Sequence, residues 1–193
     1  MQKLTHTDLL SLEIYSRERS DFRTRVVAHK RERTVHLGPH LTFLFEDRLT
    51  VQYQIQEMLR IERIFEPDAI AAELLTYNSL IPDGTNLKAT LMIEYADVEE
   101  RRRALLAMRG IEHGFTLQVA GCSVSVATAD EDLDRSNEEK TSAVHFLRFE
   151  LAPASITAWH QDAEVSLAVA HPAYTYRCIL NSGQQKVLAA DFD

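Results

Sequence analysis

Two periodicities alternate along this chain. Extended runs with a period near two occupy residues 33–37, 40–46, 88–95 (KATLMIEY), 115–119 (FTLQV), 122–128 (CSVSVAT), 143–151 (AVHFLRFEL), 164–170 (EVSLAVA) and 174–180 (YTYRCIL). They read as strands, because alternate residues of a strand share one face. Between them lie helix signals. Thr7 caps a short helix to about Tyr15, and Ser20 caps a second from Asp21 towards Glu32. Asp47 caps a long helix over residues 48–65, and Pro67 starts another to about Tyr77. Asp97 with Glu100 opens a helix over 98–109 that Gly110 stops, Pro153 opens one through His160, and a tail helix ends the chain. Pro82-Asp83-Gly84, Ala120-Gly121 and His171-Pro172 mark turns. Strands fall in adjacent pairs as well as after helices. This predicts an α+β fold: a largely antiparallel mixed sheet packed by several helices, in a single domain over residues 1–193. Its parts are a helical N-terminal segment (1–32), a core (33–151) and a C-terminal strand pair with a tail (152–193).

Composition narrows the class. With 45% hydrophobic and 26% charged residues, the chain reads as a soluble globular protein that folds without staples. No apolar run is long enough to span a bilayer, and the N-terminus lacks the apolar stretch of a signal peptide. Cys122 and Cys178 are far apart and form no C-x-x-C, so free buried thiols in a reducing cytoplasm are expected, with a thiol redox centre as the alternative. A net charge of −8 disfavours general nucleic-acid binding. The charge is uneven, however. Residues 17–33 carry seven Lys/Arg against three Asp/Glu, and residues 130–140 carry six acids against two bases. Such segments are either solvated faces or docking surfaces for a partner of opposite charge. The basic segment lacks the interleaved aromatics of a nucleic-acid platform.

The chemically odd residues are few. His36 and His40 flank Gly38-Pro39. If the chain stays extended, they lie about 13 Å apart, too far for one ion. A two-residue turn at Gly38-Pro39 puts them on opposite sides. Only a three-residue loop over 37–39 would face them, and proline cannot supply its positive φ. A shared metal on this pair is therefore disfavoured. Leu41, Phe43 and Phe45 are expected on the core face, with Thr42, Leu44 and Glu46 on the other. On the helix that follows, Val51, Ile55, Met58, Leu59 and Phe65 form an apolar stripe, with Glu62 at its middle and Gln54 at its edge. A carboxylate there must be paired, coordinated or protonated. On the 98–109 helix, Arg102 and Arg109 fall within the apolar face and Arg101 at its rim. Glu62 with Arg102 is thus a structural pair, or Arg101 and Arg102 fork a carboxylate or phosphate in an anion pocket. His145 alternates with Leu147, Phe149 and Leu151; it is a hydrogen-bonded core histidine or a ligand. Arg148 and Glu150 share the other face and could ladder with Glu46. His36, His40, Glu62 and His145 are the residue types of an iron or zinc site, without a recognised spacing. No nucleophile elbow, P-loop or dinucleotide fingerprint is present. Cofactors are therefore unassigned, and whether the protein is an enzyme stays open.

Four stretches carry a resemblance: HLGPHLTFLFEDRLTVQYQIQEMLRIERIFE, LIPDGTNLKATLMIEY, DVEERRRAL and DEDLDRSNEEKTSAVHFLRFEL. From the first helix to about residue 151 the chain resembles a bacterial domain family of unknown function. Members of that family tend to be encoded beside rubrerythrin and an iron–sulfur oxidoreductase of the heterodisulfide-reductase type. The resemblance implies a cytoplasmic accessory role in an oxidative-stress or electron-transfer system, docking to one of those partners. It brings no established catalytic residue. The alternative is a metal- or small-anion-binding protein built around Glu62, Arg102 and the histidines.

Overall fold

Ser11 opens the first long helix, its Oγ accepting the amide of Ile14 at 3.3 Å. The helix, α1, runs without a break over Leu12–Glu32. The expected break between Tyr15 and Ser20 does not occur, because residues 16–20 contain neither glycine nor proline and are rich in helix-forming Arg and Glu. Ahead of α1, a 3-10 turn at His6–Asp8 is closed by a reciprocal Thr5–Asp8 capping box. These elements belong to a computed structural model that describes residues 2–131, 135 and 140–192. Most of the acidic 130–140 stretch therefore lies outside the described residues.

Strands β1 (Thr34–Leu37) and β2 (Leu41–Phe45) form a hairpin in which His36 faces Thr42. The loop is Gly38-Pro39-His40, three residues long and one position later than the loop that would face the two histidines. Gly38 takes the left-handed conformation, φ 71°, and a Cβ there would run into the Tyr174 hydroxyl and the Tyr176 ring. Glycine solves the turn before proline is reached, and His40 ends inside the loop.

Asp47 then caps α2 (Arg48–Ile61) by accepting the Thr50 amide at 2.9 Å. The helix stops four residues short of expectation. Its end is a Schellman turn: the Ile64 amide bonds back to the Leu59 carbonyl at 3.0 Å, with Arg63 left-handed at φ 54°. Ile64 is thereby turned inward and Phe65, expected in the stripe, is left 67% exposed. Helix α3 (Pro67–Asn78) packs on α2.

The remaining elements are β3 (Asn86–Ile93), α4 (Val98–Ala107), β4 (Phe115–Val119), β5 (Val124–Val126), β6 (Thr128–Ala129), β7 (Val144–Glu150), α5 (Pro153–His160), β8 (Val165–His171), β9 (Tyr174–Ile179) and α6 (Ser182–Ala189). The fold is α+β, as the pattern predicts. The strands divide over two sheets rather than one, ordered β1-β2-β3-β7-β6 and β5-β4-β8-β9, and every pairing is antiparallel. Residues 122–128, read as one strand, change sheets: β5 pairs with β4 and β6 with β7. One core joins both sheets, with the Phe43 and Phe115 rings edge to face at 5.3 Å. Leu41, Phe43 and Phe45 lie in that core as expected; Thr42, Leu44 and Glu46 on the other face are buried too. Glu46 accepts from Thr90 at 2.6 Å, so it takes no part in a ladder with Arg148.

Arg33 is 2% exposed. Its Nε donates to the Phe45 carbonyl at 2.8 Å, and its terminal nitrogens reach the Glu46 carbonyl at 3.2 Å and the Asp191 carboxylate. Asp47 lies 3.6 Å from the same guanidinium and 2.5 Å from His29 Nε2. Burial works to raise the Asp47 carboxyl, but the Arg33 charge and the Thr50 and His29 bonds hold it below the usual range. At Asp191 burial wins over Arg33 and pushes the carboxyl up to about 6. Its Oδ1 finds no hydrogen-bond partner among the described residues. A carboxyl raised in the folded state contributes stability that is full below the unfolded value near 3.8 and lost as pH rises through about 6. The Asp191 contribution to unfolding free energy should therefore fall between pH 4 and 6. Chemical denaturation across that range should show Asp191→Asn with a flatter pH dependence than the parent. Arg63→Gly should raise stability by about 0.5–1 kcal/mol in the same assay, because glycine relieves the left-handed strain.

Candidate docking surface

The N-terminal segment is stitched across α2 and α3. Lys3 Nζ donates to the carbonyls of Asn78 and Ile81, and the Asn78 side chain bonds the Leu4 backbone in both directions. Gln56, fully buried on α2, does the same for Leu10: its Oε1 accepts the amide at 2.6 Å and its Nε2 donates to the carbonyl at 3.2 Å. Held this way, residues 6–12 wall one side of an apolar cup of about 440 Å³. Leu9, Leu12, Leu59, Ile64, Phe65 and Ile70 line it. Ile61, 57% exposed, precedes the same corner.

The cup reaches the N-terminal end of α1. Leu12 stands one turn before Ser16 on the same helix face. From Ser16 onward that face is a shallow channel of about 630 Å³ lined by α1 alone. Ser16, Ser20, Thr24 and Ala28 recur every four residues, flanked by Arg19, Arg23 and Arg31. The opposite side of α1 buries Tyr15, Phe22 and Val26 against α2, with Leu49 and Tyr53 packed on them. Glu57 of α2 orients the nearest arginine: Arg19 forks it at 2.7 and 2.8 Å, and the Tyr15 hydroxyl donates to it at 2.6 Å. The Arg19 bond, with help from Tyr15, pulls the Glu57 carboxyl down to about 2. Arg23 and Arg31 are exposed and make no ion pair among the described residues.

The residues flagged from sequence are not gathered into a pocket. Glu62 is exposed at the C-cap of α2, beside the cup, because the helix ends before its stripe would bury it. Arg102 is 62% exposed and pairs with Glu99 at 3.2 Å, so it makes no pair with Glu62. The apolar face assigned to α4 is wrong in part: Leu105 and Met108 are buried, whereas Val98 and Leu106 face solvent. Arg101 is half-buried, and Gln54 is exposed on α2. His36 Nδ1 lies 3.0 Å from Thr42 Oγ1; His40 stacks on Tyr95, with Nδ1 3.0 Å from the Glu94 carbonyl. His145 is fully buried, its ring nitrogens 2.8 Å from Thr141 Oγ1 and 2.5 Å from Asp130 Oδ2. That is a hydrogen-bonded core histidine. Among the described residues no three His, Cys, Asp or Glu side chains converge to hold a metal ion. Both cysteines are free and half-buried, and burial raises the Cys178 thiol. No described helix is long and apolar enough to cross a membrane.

A family model described as protein of unknown function (DUF3501) matches residues 3–192, nearly the whole chain. The chain belongs to the DUF3501 family. A crystal structure of a novel protein of unknown function from Burkholderia pseudomallei is 47% identical, with all of both chains covered and a TM-score of 0.94. No curated protein matches. The resemblance read from the sequence thus holds for a domain family of unknown function, and it reaches through the C-terminal forty residues as well.

Gln56, Glu57 and Arg33 are not singled out by the local sequence pattern. Polar residues at 56 and 57 flank the Val51–Ile55–Leu59 stripe, a position equally common on solvated helices. Only the N-terminal segment at Gln56 and α1 at Glu57, both folded over α2, make them structural. Because Glu57 is depressed in the folded state, its contribution is present above about 4.5 and lost as pH falls towards 2. Thermal melts over that acid range should show Glu57→Gln lowering the midpoint at neutral pH and removing part of the acid-induced decline.

Proposed function

We propose that this DUF3501 protein is a non-enzymatic accessory module that docks an acidic, amphipathic helix of a partner protein along α1. The cup would take the partner's apolar anchor and the channel its carboxylates. The observation that carries this reading is the shared helix: an exposed Phe65 at an apolar cup that includes Leu12 at the start of α1, followed along the same helix by an arginine-flanked face, on a chain of net charge −8. Small residues at four-residue spacing let a second helix approach to roughly 8–10 Å. Arg23 and Arg31, which make no ion pair among the described residues, supply attraction and steering for acids. An aromatic anchor beside arginines has the composition of an interface centre.

The family resemblance supplies the partner class: an iron–sulfur oxidoreductase of the heterodisulfide-reductase type, or rubrerythrin, in a cytoplasmic electron-transfer or oxidative-stress system. The free thiols are compatible with that setting.

Binding of each purified candidate partner by biolayer interferometry tests this. Phe65→Ser and the pair Arg23→Glu/Arg31→Glu should each weaken binding by about tenfold or more. Thermal midpoints should stay close to the parent's, since the positions are exposed. Absence of binding by both partners, or variants that bind like the parent, would overturn the reading. Salt-dependent retention on a polyanion column that the arginine variants abolish would reassign the surface to nucleic acid.

A further inference from the structure

A second site lies on the outer face of the first sheet, and no residue of α1 lines it. Lys88 of β3 stands directly opposite Arg148 of β7. Like charges at directly facing strand positions repel, and the repulsion is relieved when an anion sits between or beside them. Here the chain supplies its own anion. Glu131 is forked side-on by Arg148, with Nε to Oε2 at 2.7 Å and Nη2 to Oε1 at 2.8 Å. The remaining guanidinium nitrogen donates to Glu150. The Arg148 bonds hold the Glu131 carboxyl below its usual range.

Beside this fork is a cavity of about 260 Å³. Leu80 and Phe146 give it apolar walls, and Lys88, Arg148, Glu131 and Ser79 give it polar ones. The Lys88 ammonium donates to the Ser79 carbonyl at 2.5 Å, and no other hydrogen bond to it is formed among the described residues. Burial depresses the Lys88 ammonium, so an added anion nearby stabilises its charged form. Glu131 is half exposed and is part of the cavity lining. Its carboxylate occupies the place on the Arg148 fork where a free carboxylate would lie, and its removal costs no buried group its partner if another carboxylate replaces it.

We infer that this cavity is a binding site for a small organic carboxylate with a short apolar or aromatic body, and that Glu131 is its built-in competitor. The ligand's carboxylate takes the Arg148 fork with Lys88 as second cation, and its body lies against Phe146 and Leu80. The volume falls below the roughly 300 Å³ at which pockets for larger ligands begin, which limits the ligand to small acids. The planar fork favours a carboxylate bound in two places over a compact anion held as a point charge.

Benzoate, benzamide and inorganic phosphate are suitable probes on the full chain, with titration calorimetry for affinity and amide chemical shifts for location. Benzoate should bind and shift the amides of Lys88, Phe146 and Arg148, while benzamide does not bind. Glu131→Gln should bind benzoate at least tenfold tighter. Arg148→Lys, which keeps the charge and loses the fork, should bind at least tenfold more weakly. Lys88→Met should weaken binding as well, and circular dichroism reports whether each variant is folded. Three results would overturn the inference: Glu131→Gln binding no tighter than the parent, a folded Arg148→Lys binding unchanged, or phosphate binding as tightly as benzoate. Because none of these positions touches the α1 surface, loss of partner docking leaves the outcome of this test unaffected.

Discussion

The guanidinium of Arg33 sits where four pieces of the chain meet. It follows the last turn of α1, bonds the carbonyls of Phe45 and Glu46 at the end of β2, faces the Asp47 cap of α2 and closes on Asp191 beyond α6. Removing so large a cation from water is expensive, and it is recovered only when every donor finds an acceptor. That requirement locks the direction in which α1 leaves the sheet, the start of α2 and the place of the C-terminal turn at once. The unmatched cost falls on Asp191, whose second oxygen has no partner among the described residues.

The rest follows from this anchor. With α1 and α2 fixed at their shared corner, Tyr15, Phe22 and Val26 have one surface to cover, and the other side of α1 is left to solvent with its arginines. The N-terminal segment then crosses α2 and α3, where Gln56 and Asn78 bond its backbone as a neighbouring strand would. A segment of eight or so residues is thereby turned into the wall of a cup. On the opposite part of the molecule, the two sheets share one apolar core, and their outer faces carry the charges. The Lys88–Arg148 pair is one product of that arrangement: register places two bases face to face, and a neighbouring acid answers them.

Much of this was legible in the sequence. Asp47, Asp97 and Pro153 mark the helices they begin, and seven of the eight extended runs appear where alternation puts them. The run at 122–128 is the eighth; it is split because its two halves pair in different sheets, and pairing partners are not written into a single strand's periodicity. His145 was readable as a core histidine because its neighbours alternate strictly. The Glu62–Arg102 site was not, for a local reason: the wheel assumes a helix through residue 65, and the left-handed Arg63 ends it at Ile61. Without glycine at that position, nothing in the local pattern announces the stop. The same four-residue error placed Phe65 in the core and hid the cup.

The sequence by itself determined what depends on near neighbours: caps, strand periodicity, the α+β class, the absence of a long apolar span and the basic bias of residues 17–33. Family membership also lies in the sequence, as a pattern shared along nearly its full length. The tertiary structure alone decided which charges are buried and which face each other. Arg33 and Arg23 belong to the same basic run, yet one is sealed inside an ion network and the other lines an open channel. Local propensity treats the two alike. Only the free energy of removing a charge from water, settled by residues some 150 positions away, separates them.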